Sequence, residues 1–165
     1  MAEFAATFDP RQDRPTRYRE AAEAIAAMLE GEPDPIARMA SAVAVLKQAF
    51  DHYFWAGFYL VDADKPDELV VGPYQGTPAC LRIPFGRGVC GAAAATRTTQ
   101  IVPDVHAFPG HIACDAASVS ELVVPLIRDG QLLGVLDLDS PNPARFTEDD
   151  EQGCIAIAEI LAKAI

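Results

Sequence analysis

The stretch "ELVVPLIRDGQLLGVLDLD", residues 121–139, decides the fold. Two apolar runs flank "RDG", and an Asp-Gly pair between such runs is a strong signal for a β-hairpin. In a strand, successive side chains point to opposite faces. Asp137 and Asp139 therefore share one face, and Leu136 and Leu138 share the other. Glu121 opens the partner strand, so the hairpin brings it to the same end as Asp137 and Asp139. Three carboxylates gathered there repel one another unless a cation or protons intervene. Two readings follow. One is a solvated strand end. The other is a pocket for an ammonium group, or a carboxylic acid with a raised pKa.

Working outward, the same antiparallel logic extends over the chain. "FWAGFYLVD" (54–62) and "DELVVGPY" (67–74) are strand-like, with a turn at "ADKPD". "LRIPFG" (81–86) is a short extended segment and "TQIVPDV" (99–105) a further strand. "GVCGAAAATR" (88–97) is small and apolar and predicts a short helix. Residues 16–30 form an alanine-rich helix that Gly31 ends. Asp34 followed by Pro35 caps a second helix through about Phe50, with Ile36, Met39, Ala40, Val43 and Leu46 on one face. Thr147, with Asp150 three residues on, opens a closing helix over 147–165. Short turns between adjacent strands make this an α+β chain: a mostly antiparallel sheet with helices laid on it. Residues 1–13 have no period and are expected to be a flexible arm before one domain over 14–165.

Composition narrows the functional classes. The chain has 165 residues, half of them hydrophobic, and a net charge of −11. That suits a globular domain able to bury a core without disulfide staples. The acidic balance disfavours nucleic acid and anionic membranes, which attract basic patches. It suits a cationic or zwitterionic ligand, and simple solubility explains it equally well. The chain shows no membrane-length apolar run and no secretory h-region, so a cytoplasmic location is expected. Thiols are kept reduced there, so the cysteines are read as packing, catalytic or metal-binding residues.

Those four cysteines divide by context. Cys154 is in register with Ile157, Leu161 and Ala164 and reads as core. Cys80, Cys90 and Cys114 lie among glycines and prolines. Cys90 opens the short helix, where the N-terminus and Arg87 favour a thiolate; a packing role is the alternative. Cys114 sits in the polar loop "PGHIACDAAS" (109–118), an odd place for a packing cysteine. Asp115 should raise its pKa, and His111, if charged, would oppose that. A zinc site at "HIAC" with His106 is disfavoured, because paired C-x₂₋₄-C knuckles are missing. No P-loop and no G-x-S-x-G elbow is present. Trp55 and Tyr59 fall on one strand face and read either as core or as an aromatic wall.

Six strings carry a resemblance: "WAGFYLV", "ELVVGPYQGTPAC", "RIPFGRGVCGAAAAT", "PDVHAFPGHIACDAAS", "SELVVPL" and "GVLDLDSPNPARFTEDDEQG". Together, over about residues 54–153, they resemble the free methionine-(R)-sulfoxide reductases, a GAF-domain enzyme family. The resemblance implies α/β/α layering about the sheet and a thiol mechanism. A thiolate attacks the sulfoxide sulfur, methionine leaves, and the resulting sulfenic acid condenses with a second cysteine to a disulfide. Thioredoxin or another dithiol reduces that disulfide, and no bound cofactor or metal is needed. By the same resemblance, Cys114 becomes the sulfenic acid, Cys80 resolves it, and Cys90 binds or assists. Glu121, Asp137 and Asp139 hold the substrate and polarise the sulfoxide, Trp55 and Tyr59 wall its methyl group, and the chain forms a homodimer. The competing reading is a non-catalytic GAF module that binds a small ligand or senses redox state.

Overall fold

The computed structural model of the protein describes residues 7–112 and 114–165. In chain order the elements are α1 (Arg14–Leu29), α2 (Pro35–Ala49), β1 (Trp55–Val61), β2 (Glu68–Gln75), β3 (Arg82–Pro84), α3 (Gly88–Thr96), β4 (Gln100–Val102), β5 (Ser120–Arg128), β6 (Gln131–Ser140) and α4 (Glu148–Ala164). The six strands form one sheet in the order β3-β2-β1-β6-β5-β4, and every neighbouring pair is antiparallel. The β5–β6 hairpin lies at its heart. Its loop is the two residues Asp129 and Gly130, both at positive φ (51° and 76°), the twist-matched geometry of a tight hairpin.

Strand alternation divides the interior into two cores. Phe58, Leu122, Leu136 and Leu138 face α1, α2 and α4. Tyr59, Val123 and Val135 face the other way, against Val89 and Ala93 of α3. The α/β/α layering follows directly from this period of two. One residue of register slip would exchange the leucines and the acids between the faces.

The helices show where local signals hold and where they mislead. Asp34 caps α2 as expected, accepting from the Ala37 N–H at 2.8 Å. Its buried face is Met39, Ala42, Val43, Val45, Leu46 and Ala49. Ile36 and Ala40, expected on that face, are exposed, and Ile36 is 64 % accessible. The buried face is turned toward Ala42, Val45 and Ala49, which leaves Ile36 and Ala40 beyond its edge. Helix α1 begins at Arg14, two residues before the expected start, because Asp13 accepts from the Thr16 N–H at 2.8 Å. The predicted strand over 99–105 is only Gln100–Val102, after which Asp104 caps a 3₁₀ turn at Val105–Ala107.

Of the segment expected to be a flexible arm, residues 1–6 lie outside the described residues. Residues 7–13 are held on the body. Phe8 packs on the helical core, and Arg17 donates to the Pro10 and Gln12 carbonyls at 3.2 Å.

A buried polar knot ties α1 to α4. Asp150 reaches back to the Thr147 N–H at 2.7 Å, accepts from the Tyr18 hydroxyl at 2.9 Å, and pairs with Arg14 at 2.5 Å. The Tyr18 and Tyr53 hydroxyls also hydrogen-bond to each other. The two helices meet at Gly153, where a Cβ would lie 2.1 Å from the Tyr18 ring. Cys154 is fully buried there. Its thiol is pushed up to about 12, by burial above all, so it packs as its helical register suggests.

Candidate functional site

The site lies on the sheet face opposite α1, α2 and α4, beneath α3 and the 109–118 loop. It is a cavity of about 50 Å³ reached by all eight residues singled out from the sequence except Cys80, which stands immediately beside its wall residue Ala79. The floor comes from the central hairpin. Glu121 of β5 pairs with Asp139 of β6, and Asp137 lies opposite Val123. Glu121 (8 % exposed) and Asp137 (5 %) are buried, and Asp139 is partly so. The strand-end cluster is thus an enclosed floor rather than a solvated rim. Burial first, and then neighbouring carboxylates, push Glu121 and Asp137 well above the carboxylate range. Asp139 is raised to about 6, again mainly by burial, while the Ser118 hydroxyl that donates to it pulls the other way. The floor therefore holds carboxylic acid protons near neutral pH, which an exposed acidic cluster would not.

The aromatic wall rises from β1. Trp55 and Tyr59 stack with ring centroids 5.9 Å apart, and Tyr74 of β2 stacks on the outer face of Trp55 at 5.1 Å. Gly57 lies between the two wall residues on the same face. A Cβ there would come within 2.2 Å of Tyr74 Cβ and 2.7 Å of the Trp55 ring, so only glycine lets the rings close up. The indole N–H of Trp55 donates to the Thr77 carbonyl at 3.1 Å, tying the wall to the segment that carries Cys80.

The structure separates the three middle-region cysteines. Cys80 and Cys114 form a disulfide with Cα atoms 5.4 Å apart. That bond commits the Cys114 sulfur, so "HIAC" offers no metal-ligating pair in this state. Cys90 is a free thiol, 4 % exposed, on the first turn of α3. Its Sγ donates to Glu121 Oε1 at 3.7 Å. The expectation that the helix N-terminus would lower its pKa is overturned. Burial, followed by Asp137 and Glu121, pushes the Cys90 thiol well up. Arg87, expected to help, is exposed and makes no side-chain cap for α3. Desolvation outweighs a helix terminus, whose influence is worth about 1 kcal/mol.

Asp115 turns out to be a tether. It accepts from the Thr77 hydroxyl at 2.6 Å and the Ala117 N–H at 2.7 Å. Those bonds, Thr77's foremost, hold it below the usual carboxylate range. Thr77 stands three residues before Cys80 and Asp115 one after Cys114, so this hydrogen bond runs alongside the disulfide and joins the same two loops. Sequence reasoning missed both Thr77 and Ser118. The only local signal was a small hydroxyl residue in each turn, and such residues mark turns generally. His111, read as an ambiguous neighbour of Cys114, lines the cavity with its Nε2 buried and unpartnered.

This architecture and site define a class. The GAF domain family matches residues 34–165. Protein YtsP of Bacillus subtilis is 50 % identical over 153 residues, covering 93 % of both chains. Free methionine-R-sulfoxide reductase of Escherichia coli is 49 % identical over 139 residues, covering 84 % of this chain and 82 % of its own. The structure of free methionine-R-sulfoxide reductase from Neisseria meningitidis in complex with its substrate superposes with a TM-score of 0.92. It is 49 % identical and covers 98 % of this chain and 95 % of its own. The chain belongs to the GAF-domain family and, within it, to the group that holds the free methionine-R-sulfoxide reductases. No helix among the described residues is long and apolar enough to cross a membrane.

Proposed function

We propose that the protein reduces free methionine (R)-S-oxide to methionine with Cys114 as nucleophile and Cys80 as resolving thiol. The observation that carries this is the Cys80–Cys114 pair at the mouth of a cavity whose floor is a buried carboxyl cluster with raised pKa values. In the reduced protein the Cys114 thiolate attacks the sulfoxide sulfur. The acids beneath the S–O oxygen supply protons as that bond weakens. Methionine leaves and the oxygen remains on Cys114 as a sulfenic acid. The Cys80 thiol then attacks that sulfur, water departs, and the disulfide forms. A dithiol of the thioredoxin class restores both thiols through a mixed disulfide, taking up the oxidation itself. Two thiols are oxidised in sum for each sulfoxide reduced, with one water released.

Substrate choice follows from the same walls. Trp55 and Tyr59 offer an apolar face to the S-methyl end. The acidic cavity favours the ammonium of a free amino acid, which a methionine inside a chain lacks. Asp139 is the least buried of the three acids, which supports it as the partner of that ammonium. Cys90, fixed beside Glu121, helps hold the floor in place. A cytoplasmic, homodimeric enzyme active under oxidative stress fits this chemistry.

The test is an epimer-resolved assay with dithiothreitol as reductant. We expect consumption of free methionine (R)-S-oxide and none of the S epimer or of sulfoxide inside a peptide. Equal turnover of both epimers, or no turnover, sinks the reading and favours a binding module. The tether adds a second expectation. Thr77→Val removes the hydroxyl that donates to Asp115 and should slow disulfide closure roughly tenfold. Methionine release in the first turnover should be unchanged. Rapid-quench thiol counting separates the two steps, and an unaltered closure rate would remove Thr77 from the scheme.

A further inference from the structure

We propose that Cys90, Glu121 and Asp137 form a binding site for a single thiophilic divalent cation of the zinc and cadmium class. One ligand atom from each residue, a sulfur and two carboxylate oxygens, lies within 4.8 Å of the others. The Cys90 Sγ to Glu121 Oε1 separation is 3.7 Å. A tetrahedral zinc with bonds of about 2.3 Å to sulfur and 2.1 Å to oxygen places such donors about 3.6 Å apart. That edge of the tetrahedron is already built. A second observation points to the same place: Asp137 Oδ1 is buried with no hydrogen-bond partner, on a side chain only 5 % exposed. A lone pair left open in an enclosed site is costly unless something binds it.

The three side chains stand on α3, β5 and β6, elements packed into the sheet rather than on loops, and rigid elements hold ligand geometry best. All three line the cavity, so a fourth coordination position opens into it, as in zinc sites with three protein ligands. A thiolate in the donor set selects zinc or cadmium over magnesium, which prefers six oxygens and keeps its water. Binding is ligand exchange with no redox change. The cation takes Cys90 as thiolate, and the thiol proton and any carboxyl proton pass to solvent. Neither Cys80 nor Cys114 takes part, so the site exists in the disulfide form, and a bound cation occupies the same floor acids, Glu121 and Asp137, that the proposed reduction uses.

The experiment uses the full chain with the Cys80–Cys114 disulfide intact and no reductant, which leaves Cys90 as the one thiol facing the cavity. Cadmium chloride is titrated, bound metal is counted by equilibrium dialysis, and sulfur-to-cadmium charge transfer is read by ultraviolet absorption. We expect one ion per chain with a charge-transfer band that excess magnesium leaves in place. Glu121→Gln and Asp137→Asn, shape-conserving changes, should each weaken binding at least about tenfold. Cys90→Ala should abolish the band, and Cys154→Ala should keep it. The proposal is overturned by the lack of a band in the parent protein, by a band that survives Cys90→Ala, or by undiminished affinity in both carboxamide variants. The carboxamide pair keeps the test decisive even if Cys90→Ala does not fold. No turnover is read, so failure here leaves the sulfoxide assay untouched, and failure of that assay leaves this site standing.

Discussion

Cys114→Ser is expected to lose at least about a thousandfold in turnover of free methionine (R)-S-oxide, the scale on which nucleophile removal acts. A serine hydroxyl is a far weaker nucleophile toward the sulfoxide sulfur than a cysteine thiolate, and it cannot pass through a sulfenic acid. The reason for placing the chemistry at Cys114 rather than Cys90 is electrostatic. Cys90 lies buried against Glu121 and Asp137, and both raise its pKa. Cys114 is exposed at the cavity mouth, and the carboxylate next to it in sequence, Asp115, is engaged by Thr77 and the Ala117 N–H. Cys80→Ser supplies the contrast. It should still release about one methionine per chain in a single turnover and then stall with a trappable sulfenic acid, because in the proposed scheme Cys80 enters only at the second step. The measurement is rapid-quench methionine release with dimedone labelling. Full steady-state activity in Cys114→Ser would move the nucleophile elsewhere and sink the assignment.

Asp137→Asn should lower kcat by about 10²–10⁴-fold, the range for loss of a positioned general acid. Asparagine keeps the shape and the hydrogen-bonding capacity of the side chain but has no acidic proton to give. Burial, and then Asp139, raise the Asp137 carboxyl and favour its neutral form, so the substitution should change little charge in the resting site. KM should accordingly move much less than kcat. Steady-state kinetics on the (R) epimer, with folding checked by circular dichroism, gives the result. An unchanged kcat would assign proton delivery to Glu121 or Asp139 instead.

Much of this arrangement is legible in the order of the residues alone. The Asp-Gly turn and the flanking apolar runs specify the β5–β6 hairpin. Period-two alternation puts Asp137 and Asp139 on one face and Leu136 and Leu138 on the other. Asp34-Pro35 and Thr147 mark their helix starts because caps are local chemistry. The similarity of "GHIACD" and its companion strings to one enzyme family points to Cys114 and Cys80, which local chemistry by itself does not rank above Cys90.

What escapes the sequence is what depends on burial. Ile36 fits one apolar period yet faces solvent, because small residues such as Ala42 and Ala49 let the helix bury a face turned away from it. Asp13 as a cap is hidden within an aperiodic segment. The Tyr18–Tyr53–Asp150 knot joins residues up to 132 positions apart, and no window of sequence contains it.

By itself, then, the sequence determined the element types, the central hairpin, the shared face of the acids and the family likeness. These rest on near-neighbour spacing and turn chemistry, which act over a few residues. The tertiary structure alone decided that the acidic cluster is enclosed, that the Cys90 thiol is suppressed rather than activated, and that Thr77 tethers Asp115 beside the disulfide. Desolvation and charge–charge coupling set those properties, and both depend on which distant segments close over a group and exclude water from it.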